Sequence, residues 1–406
     1  MSHKVELNAV LVAHATEIIG PPQKLAKFLL KTNIFNKILI IFHPLVEYTQ
    51  TTYSFIIYIN KDKRKVKKIR IPTRVTSNTI TYLIQTITTI FVALLQTNLY
   101  HIGIGADALN SLALIPLKLP LKPKLGIIFY AIDFTPKRFS SRILNHVYII
   151  LNTLAARIAD VVWGISPRMV NMFKSITESE KNLVVEVGVP LDMYREIKER
   201  TSLEVPRKVN MLVCITHITR EKGIEELVKA ISYVRRHIPT IRLIVIGDGP
   251  YKPYIKSLVK KLHLENNVEL LGKMNYKEAL NKATECDIGI APYMPDPRSI
   301  AYFADPTKLK EYICCNLPVL TTPVTWFACE VLRHNLGIIT QYDARSLARS
   351  IISMLKNRDK IEKMRKNAAR YSTRLIQERI YLSALNATLN FIKNKKIFKN
   401  NHFLHS

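Results

Sequence analysis

Short runs of Ile, Leu and Val recur from one end of the chain to the other, and segments of helical periodicity separate them. In the first half they read "AVLVAH", "ILIIFH", "FIIYI", "LYHIGIG" and "LGIIFYAID". In the second they read "VNMLVCIT", "IRLIVIGDG", "NVELLG", "CDIGIAPY", "LPVLTT" and "LGIIT". A strand with one face in water alternates apolar and polar residues, whereas a strand covered on both faces has no reason to. Between the runs, segments such as "GIEELVKAISYVRRH" place Ile224, Leu227, Val228 and Ile231 on one helical face. The pattern predicts parallel sheets with helices on both sides, the doubly wound α/β class.

The βα repeat occurs twice, and 406 residues suit two domains. A polar, charged segment with two prolines, residues 187–210, reads as the linker. The expected division is an N-terminal Rossmann-like domain over 1–188, a second over 189–375, a helix at 376–394 packing back on the first, and a basic tail at 395–406. Two such sheets face a central cleft, where ligands meet the carboxyl ends of the strands.

Sixty Lys and Arg stand against 31 Asp and Glu, a formal charge of +29. That excess asks for an anionic partner: a phosphorylated substrate, a nucleic acid or an anionic membrane. No recognition helix, zinc-ligand spacing or RNP-like aromatic strand is visible, so no specific nucleic acid is expected. The five cysteines form no C-x-x-C, which points to a reducing, cytoplasmic setting. The first residues lack the small-residue cleavage site of a signal peptide.

Val75 to Ala106 carry no formal charge, and threonines and glutamines dilute the apolar residues. A buried or membrane-facing helix is expected there rather than a span. The basic run "NKDKRKVKKIRIPTR" precedes it, read either as a solvated hairpin or loop or as a contact for the inner face of an anionic membrane.

Four stretches of the second half carry chemistry. In "CITHITREKGIEELVKAI" a strand ends, Arg220 and Lys222 follow, and Gly223 opens a helix whose N-terminal amides attract anions. In "IGDGP" a strand runs into Gly247, which permits a tight turn. In "VELLGKM" Gly272 closes a strand, leaving the backbone of Lys273 and Met274 able to lie along a flat ring. In "DPTKLKEYICCNLPVLTT" Pro306 suits a first helical turn, and Glu311 is placed to accept bonds from vicinal hydroxyls.

Together, in this order, the four stretches resemble the donor-binding domain of retaining glycosyltransferases with the GT-B fold, the family-four type. The resemblance is specific over about residues 185–375 and weaker over "EIIGPPQKLAKFLLKT" and "YAIDFTPKRF" in the first half. It implies transfer of a sugar from a nucleotide-diphosphate donor to a glycan or lipid-linked acceptor, with retention, no metal and no cofactor. It implies that Lys222 neutralises the diphosphate and that Glu311 binds the ribose. Lys273 and Met274 would meet the base, Thr307 and Lys308 the sugar or diphosphate, and Gly20 the phosphates from the N-terminal domain.

Three positions depart from the family pattern. His217 stands where an arginine is usual, with Arg220 near enough in sequence to compensate. Phe303 stands where the first glutamate of E-x7-E is usual, which leaves the sugar contact to Asp305. Ile132 replaces a histidine, although Asp133 follows it and reads either as a ligand-orienting group or as a turn cap. A non-catalytic scaffold of the same fold is the alternative that these departures allow, and a nucleic-acid-binding protein is the one that the charge alone suggests. His14, at the end of "VLVAH", reads as a structural strand-end histidine.

Overall fold

The computed structural model describes residues 7–401 apart from 16–19, 46–50, 62–64, 96–100, 119–124, 136, 179, 203–209 and 297–299. Three residues of the basic run and five of the uncharged stretch therefore lie outside the described residues, as does the end of the tail. The chain forms two compact units, residues 1–186 with 381–406 and residues 187–380.

Unit 1 runs β1 (Leu7–Ala15), α1 (Pro21–Lys31), β2 (Phe35–Pro44), β3 (Tyr53–Asn60), β4 (Lys65–Pro72), α2 (Asn78–Leu94), β5 (Ile102–Ala106) and α3 (Ala108–Ala113). It continues through β6 (Gly126–Ala131), α4 (Arg142–Ile158), β7 (Val161–Gly164), α5 (Pro167–Thr177) and β8 (Asn182–Val184). The sheet order is β4-β3-β2-β1-β5-β6-β7-β8. From β2 to β8 the strands are parallel, and Ala9 to Ala13 of β1 are wholly buried between the two helical layers.

The expectation of parallel strands fails at "FIIYI". β3 pairs antiparallel with β2, and β4 antiparallel with β3. A parallel return needs about a dozen residues of crossover, and the connections here are shorter. The basic run accordingly forms the edge strand of a hairpin, with nearly every side chain exposed.

The uncharged stretch folds into α2 with its polarity reversed. Thr81, Gln85, Thr89 and Ala93 face inward, while Ile80, Leu83, Ile87, Phe91 and Leu94 are exposed. The inward stripe is polar because it bonds histidines at the ends of β1 and β2, described below. Among the described residues no helix is long and apolar enough to cross a membrane.

Unit 2 comprises α6 (Leu191–Ser202), β9 (Met211–Ile215), α7 (Ile224–Val234), β10 (Arg242–Ile246), α8 (Lys252–Lys261), β11 (Val268–Gly272), α9 (Tyr276–Thr284), β12 (Ile288–Ala291) and α10 (Ile300–Phe303). Then follow α11 (Thr307–Cys314), β13 (Val319–Thr321), α12 (Ala328–Arg333), β14 (Gly337–Ile339), α13 (Ala344–Lys356) and α14 (Arg358–Tyr371). The six strands are parallel, in the order β11-β10-β9-β12-β13-β14. Leu212 and Cys214 of β9 enter one core with α7 and α13, while Met211, Val213 and Ile215 enter the other with α9 and α11. Both faces are buried, which is why the run shows no polar alternation.

The last helix, α15 (Gln377–Asn401), begins in unit 2 and continues into unit 1. There Tyr381 donates its hydroxyl to the Pro21 carbonyl at 3.1 Å, and Trp163 Nε1 donates to Thr388 Oγ1 at 2.9 Å.

Candidate functional site

The sheet of unit 2 starts at β9, grows through β10 to β11, then resumes on the other side with β12. β9 and β12 therefore bound the switch point, where loops leave in opposite directions and open a crevice at the carboxyl ends. A cavity of about 250 Å³ lies there. The ends of β9 and β12 supply Cys214, Ile215 and Ala291, and the loops beyond supply Thr216, His217, Lys222 and Tyr293. Ala301, residues 304–308 and Thr325 complete it.

Lys222 ends a single 3-10 turn, Arg220–Lys222, which stops at Gly223 with φ of 73°. A Cβ on Gly223 would lie 1.8 Å from the Pro292 carbonyl oxygen, so only glycine lets this turn press against the end of β12. The Lys222 ammonium is 5.6 Å from the centre of the Tyr293 ring. Burial pulls its pKa below the ordinary lysine value, and Glu221 acts in the opposite direction. The site thus holds a partly desolvated cation that an anion would stabilise. Gly247 acts one layer away: with φ of 143°, its missing Cβ leaves room for the Thr216 carbonyl, which a side chain would meet at 1.8 Å.

On the opposite wall, α11 begins at Thr307 with Pro306 before it. Lys308 lines the cavity, and its ammonium is 2.9 Å from Glu311 Oε2. Glu311 itself is not a wall residue; its side chain is 4% exposed and backs Lys308.

Asp305 has a structural task at the cavity wall. Both the Asp305 carboxylate and the Lys310 ammonium are 0% exposed, and they pair at 2.7 Å. The same oxygen accepts from the Val187 amide at 2.5 Å. An oxygen committed to a buried cation and a backbone donor acts as a structural brace.

Of the residues expected at the site, the cavity brings together His217, Lys222, Asp305, Thr307 and Lys308. Arg220 and Lys273 are exposed near it in sequence but do not line it, and neither do Met274, Gly223 or Gly247. Met274 packs partly against a core cluster. Gly20 caps α1 in unit 1, its amide donating to Gln23 Oε1 at 3.0 Å.

Thr325 is among the wall residues that sequence reasoning missed. It is 2% exposed, and its Oγ1 has no partner among the described residues. A buried hydroxyl without a partner carries a desolvation cost that a ligand can remove. The signal was slight, a Thr in the loop after "LPVLTT".

Unit 1 has its own switch point, between β1 and β5. His14 ends β1, and its Nδ1 lies 2.6 Å from Asp107 Oδ2, just beyond β5. Its Nε2 lies 3.0 Å from Gln85 Oε1, while Gln85 Nε2 donates to the Pro44 carbonyl at 3.0 Å. That second bond turns the amide oxygen toward the ring, so Nε2 carries a proton. The carboxylate on the other side favours a second proton, at Nδ1, where Asn110 Nδ2 also lies 3.0 Å away. Burial opposes this charge, but Asp107 and Gln85 outweigh it and raise the His14 pKa.

Asp107 holds φ at 113°, a rare conformation for a non-glycine residue, and its Oδ1 accepts from the Asn110 amide at 2.9 Å. His43 is neutral by contrast: burial and then His14 push its pKa down to about 3, and Ser54 and Thr89 hydroxyls lie 2.7 Å from its nitrogens. Asp133 follows β6, its backbone carbonyl accepting from the Tyr148 hydroxyl at 2.8 Å. Burial raises its pKa, Arg138 lowers it and Asp107 raises it.

Residues 196–371 match the family described as Glycosyl transferases group 1. An uncharacterized glycosyltransferase of Methanocaldococcus jannaschii is 26% identical over 173 residues, 42% of this chain and 40% of that protein. The N-acetyl-alpha-D-glucosaminyl L-malate synthase of Bacillus anthracis is 22% identical over 207 residues, 50% of this chain and 51% of that protein. The chain thus spans about half the length of such relatives. Among solved structures, Anabaena HepE in complex with UDP superposes with a TM-score of 0.66 at 17% identity, over 95% of this chain and all of that one. The two doubly wound domains are those of the GT-B fold.

Proposed function

We propose that the chain, whose residues 196–371 match the family described as Glycosyl transferases group 1, transfers a sugar from a nucleoside-diphosphate donor to a glycan or lipid-linked acceptor. One observation carries the reading. The cavity at the β9–β12 switch point is lined by a desolvated lysine, a second lysine and a buried hydroxyl that has no partner among the described residues. That combination suits a pyrophosphate with a sugar attached.

Lys222 neutralises the charge that grows on the departing diphosphate as the anomeric C–O bond breaks. Lys308 adds a second cation, held in place by Glu311, and Thr325 offers its hydroxyl to a phosphate or sugar oxygen. In the retaining course, the acceptor oxygen attacks from the face the leaving group departs from. Its proton passes to the departing phosphate oxygen, so no protein base is required. The two lysines supply the positive charge that the step requires, with no metal called for. Lys273 and Met274, which follow β11, would meet the base, and Arg220 the outer phosphate. The acceptor falls to unit 1, where the His14–Asp107 pair fixes the loop after β5 and Asp133 stands beyond β6. The work is that of a cytoplasmic enzyme attached to a membrane surface.

Thermal unfolding in the presence of nucleotides and nucleotide sugars tests the donor reading. Uridine or guanosine diphosphate should raise the unfolding temperature most, because a ligand that binds only the folded form stabilises it. No shift with any nucleoside diphosphate or its sugar would defeat the reading.

A further inference from the structure

α2 is not alone in turning its apolar side outward. α4 buries Asn152, Ala155 and Ala156 and exposes Ile143, Val147, Ile150 and Leu154 at helical spacing. Ile143 is 76% exposed and Phe91 of α2 is 62% exposed. α3 packs against both helices, so they flank it on one side of the unit 1 sheet. A soluble surface of this size would normally be broken by charge. Here α2 has no ionisable carboxylate or cation, and α4 carries Arg142, His146 and Arg157 without one acidic residue.

We propose that the outward faces of α2 and α4 form one surface that inserts shallowly into an anionic lipid bilayer, with β4 as its electrostatic anchor. β4 exposes Lys65, Lys67, Lys68 and Arg70 along the sheet edge and ends only five residues before α2 begins. Cations beside apolar helices match the order of a bilayer, in which headgroup phosphates border the acyl region. The reversed polarity of α2 has a cause inside the fold. Its inner stripe must satisfy His14 through Gln85 and His43 through Thr89, so the core takes the polar residues and the apolar ones remain outside. A second copy of the chain fits the surface poorly. Two copies meeting through it would bring strongly basic edges together without compensating carboxylates.

The inference does not rest on the donor reading, since every residue it uses lies in unit 1 and vesicle binding needs no nucleotide. The experiment is flotation of the full chain with vesicles of phosphatidylglycerol and phosphatidylcholine, against phosphatidylcholine alone, at low and high salt. The chain should float with the anionic vesicles and less so at high salt. Leu83→Glu with Phe91→Glu, and separately Ile143→Glu with Ile150→Glu, should each weaken partitioning by about tenfold or more. Lys67→Glu with Lys68→Glu should remove the preference for anionic lipid. All these positions are exposed, so an unchanged unfolding temperature certifies each variant. A Phe91→Trp variant should show fluorescence quenching by brominated lipid. Absence of flotation at low salt overturns the proposal, as does equal flotation of the glutamate variants. So does a dimer in sedimentation that the glutamate variants dissolve while the parent ignores vesicles.

Discussion

Replacing Lys222 by Met should separate binding from stability. The thioether keeps the apolar stem that packs in the turn and removes only the charge. At about 4 Å and an effective dielectric of ~20, an ammonium and a phosphate charge attract by ~4 kcal/mol. Part of that attraction is spent on solvent that the ligand displaces, so a net loss of ~2 kcal/mol is the reasonable expectation, about 30-fold in Kd. At a nucleotide concentration of ~100 Kd the parent gains ~2.7 kcal/mol, and the variant at the same concentration should gain only ~0.9 kcal/mol. The unliganded variant should behave differently. Burial holds the Lys222 pKa below its ordinary value, which means that the fold carries this charge at a cost. Its removal should leave unfolding without ligand unchanged within ~0.5 kcal/mol or raise it slightly. Calorimetric titration with uridine diphosphate and a parallel thermal scan read both quantities. Undiminished nucleotide affinity would refute the assigned role, and a large drop in unliganded stability would refute the account of a desolvated cation.

Two further outcomes concern the braces around the sites. Lys310→Met should cost about 3–5 kcal/mol in urea unfolding, because it strands the Asp305 carboxylate with no exposure to water; adding Asp305→Asn should restore much of the loss. The His14–Asp107 pair should make stability depend on pH. The folded His14 pKa is raised above its unfolded value, so the contribution is complete below about 6.5 and is lost as pH rises through the folded pKa. Unfolding followed from weakly acid to alkaline pH should show that decline, and Asp107→Asn should flatten it.

The runs of Ile, Leu and Val determined the class of fold. Uninterrupted apolar strands can be satisfied only by cover on both faces, and the two cores around β9 supply it. The order of "REKG", "IGDGP", "VELLGKM" and "DPTKLKE" likewise marked the domain that holds the cavity, since glycines that permit close approach and lysines at loop ends are local features. The use of each charge was not local. Asp305 and Glu311 look alike in sequence, each within reach of a lysine, yet one is sealed with Lys310 and the other supports a lysine at the cavity wall. Only packing decides which carboxylate is sealed against a buried lysine and which backs a lysine at the wall. His14, Gln85 and Asp107 lie far apart along the chain and meet because β1, β5 and α2 converge at one switch point. The same meeting drew the polar residues of α2 inward and left its apolar side without cover, a reversal that periodicity registers as amphipathic but cannot orient. Periodicity is a property of neighbouring residues, whereas orientation belongs to whatever the fold places opposite them.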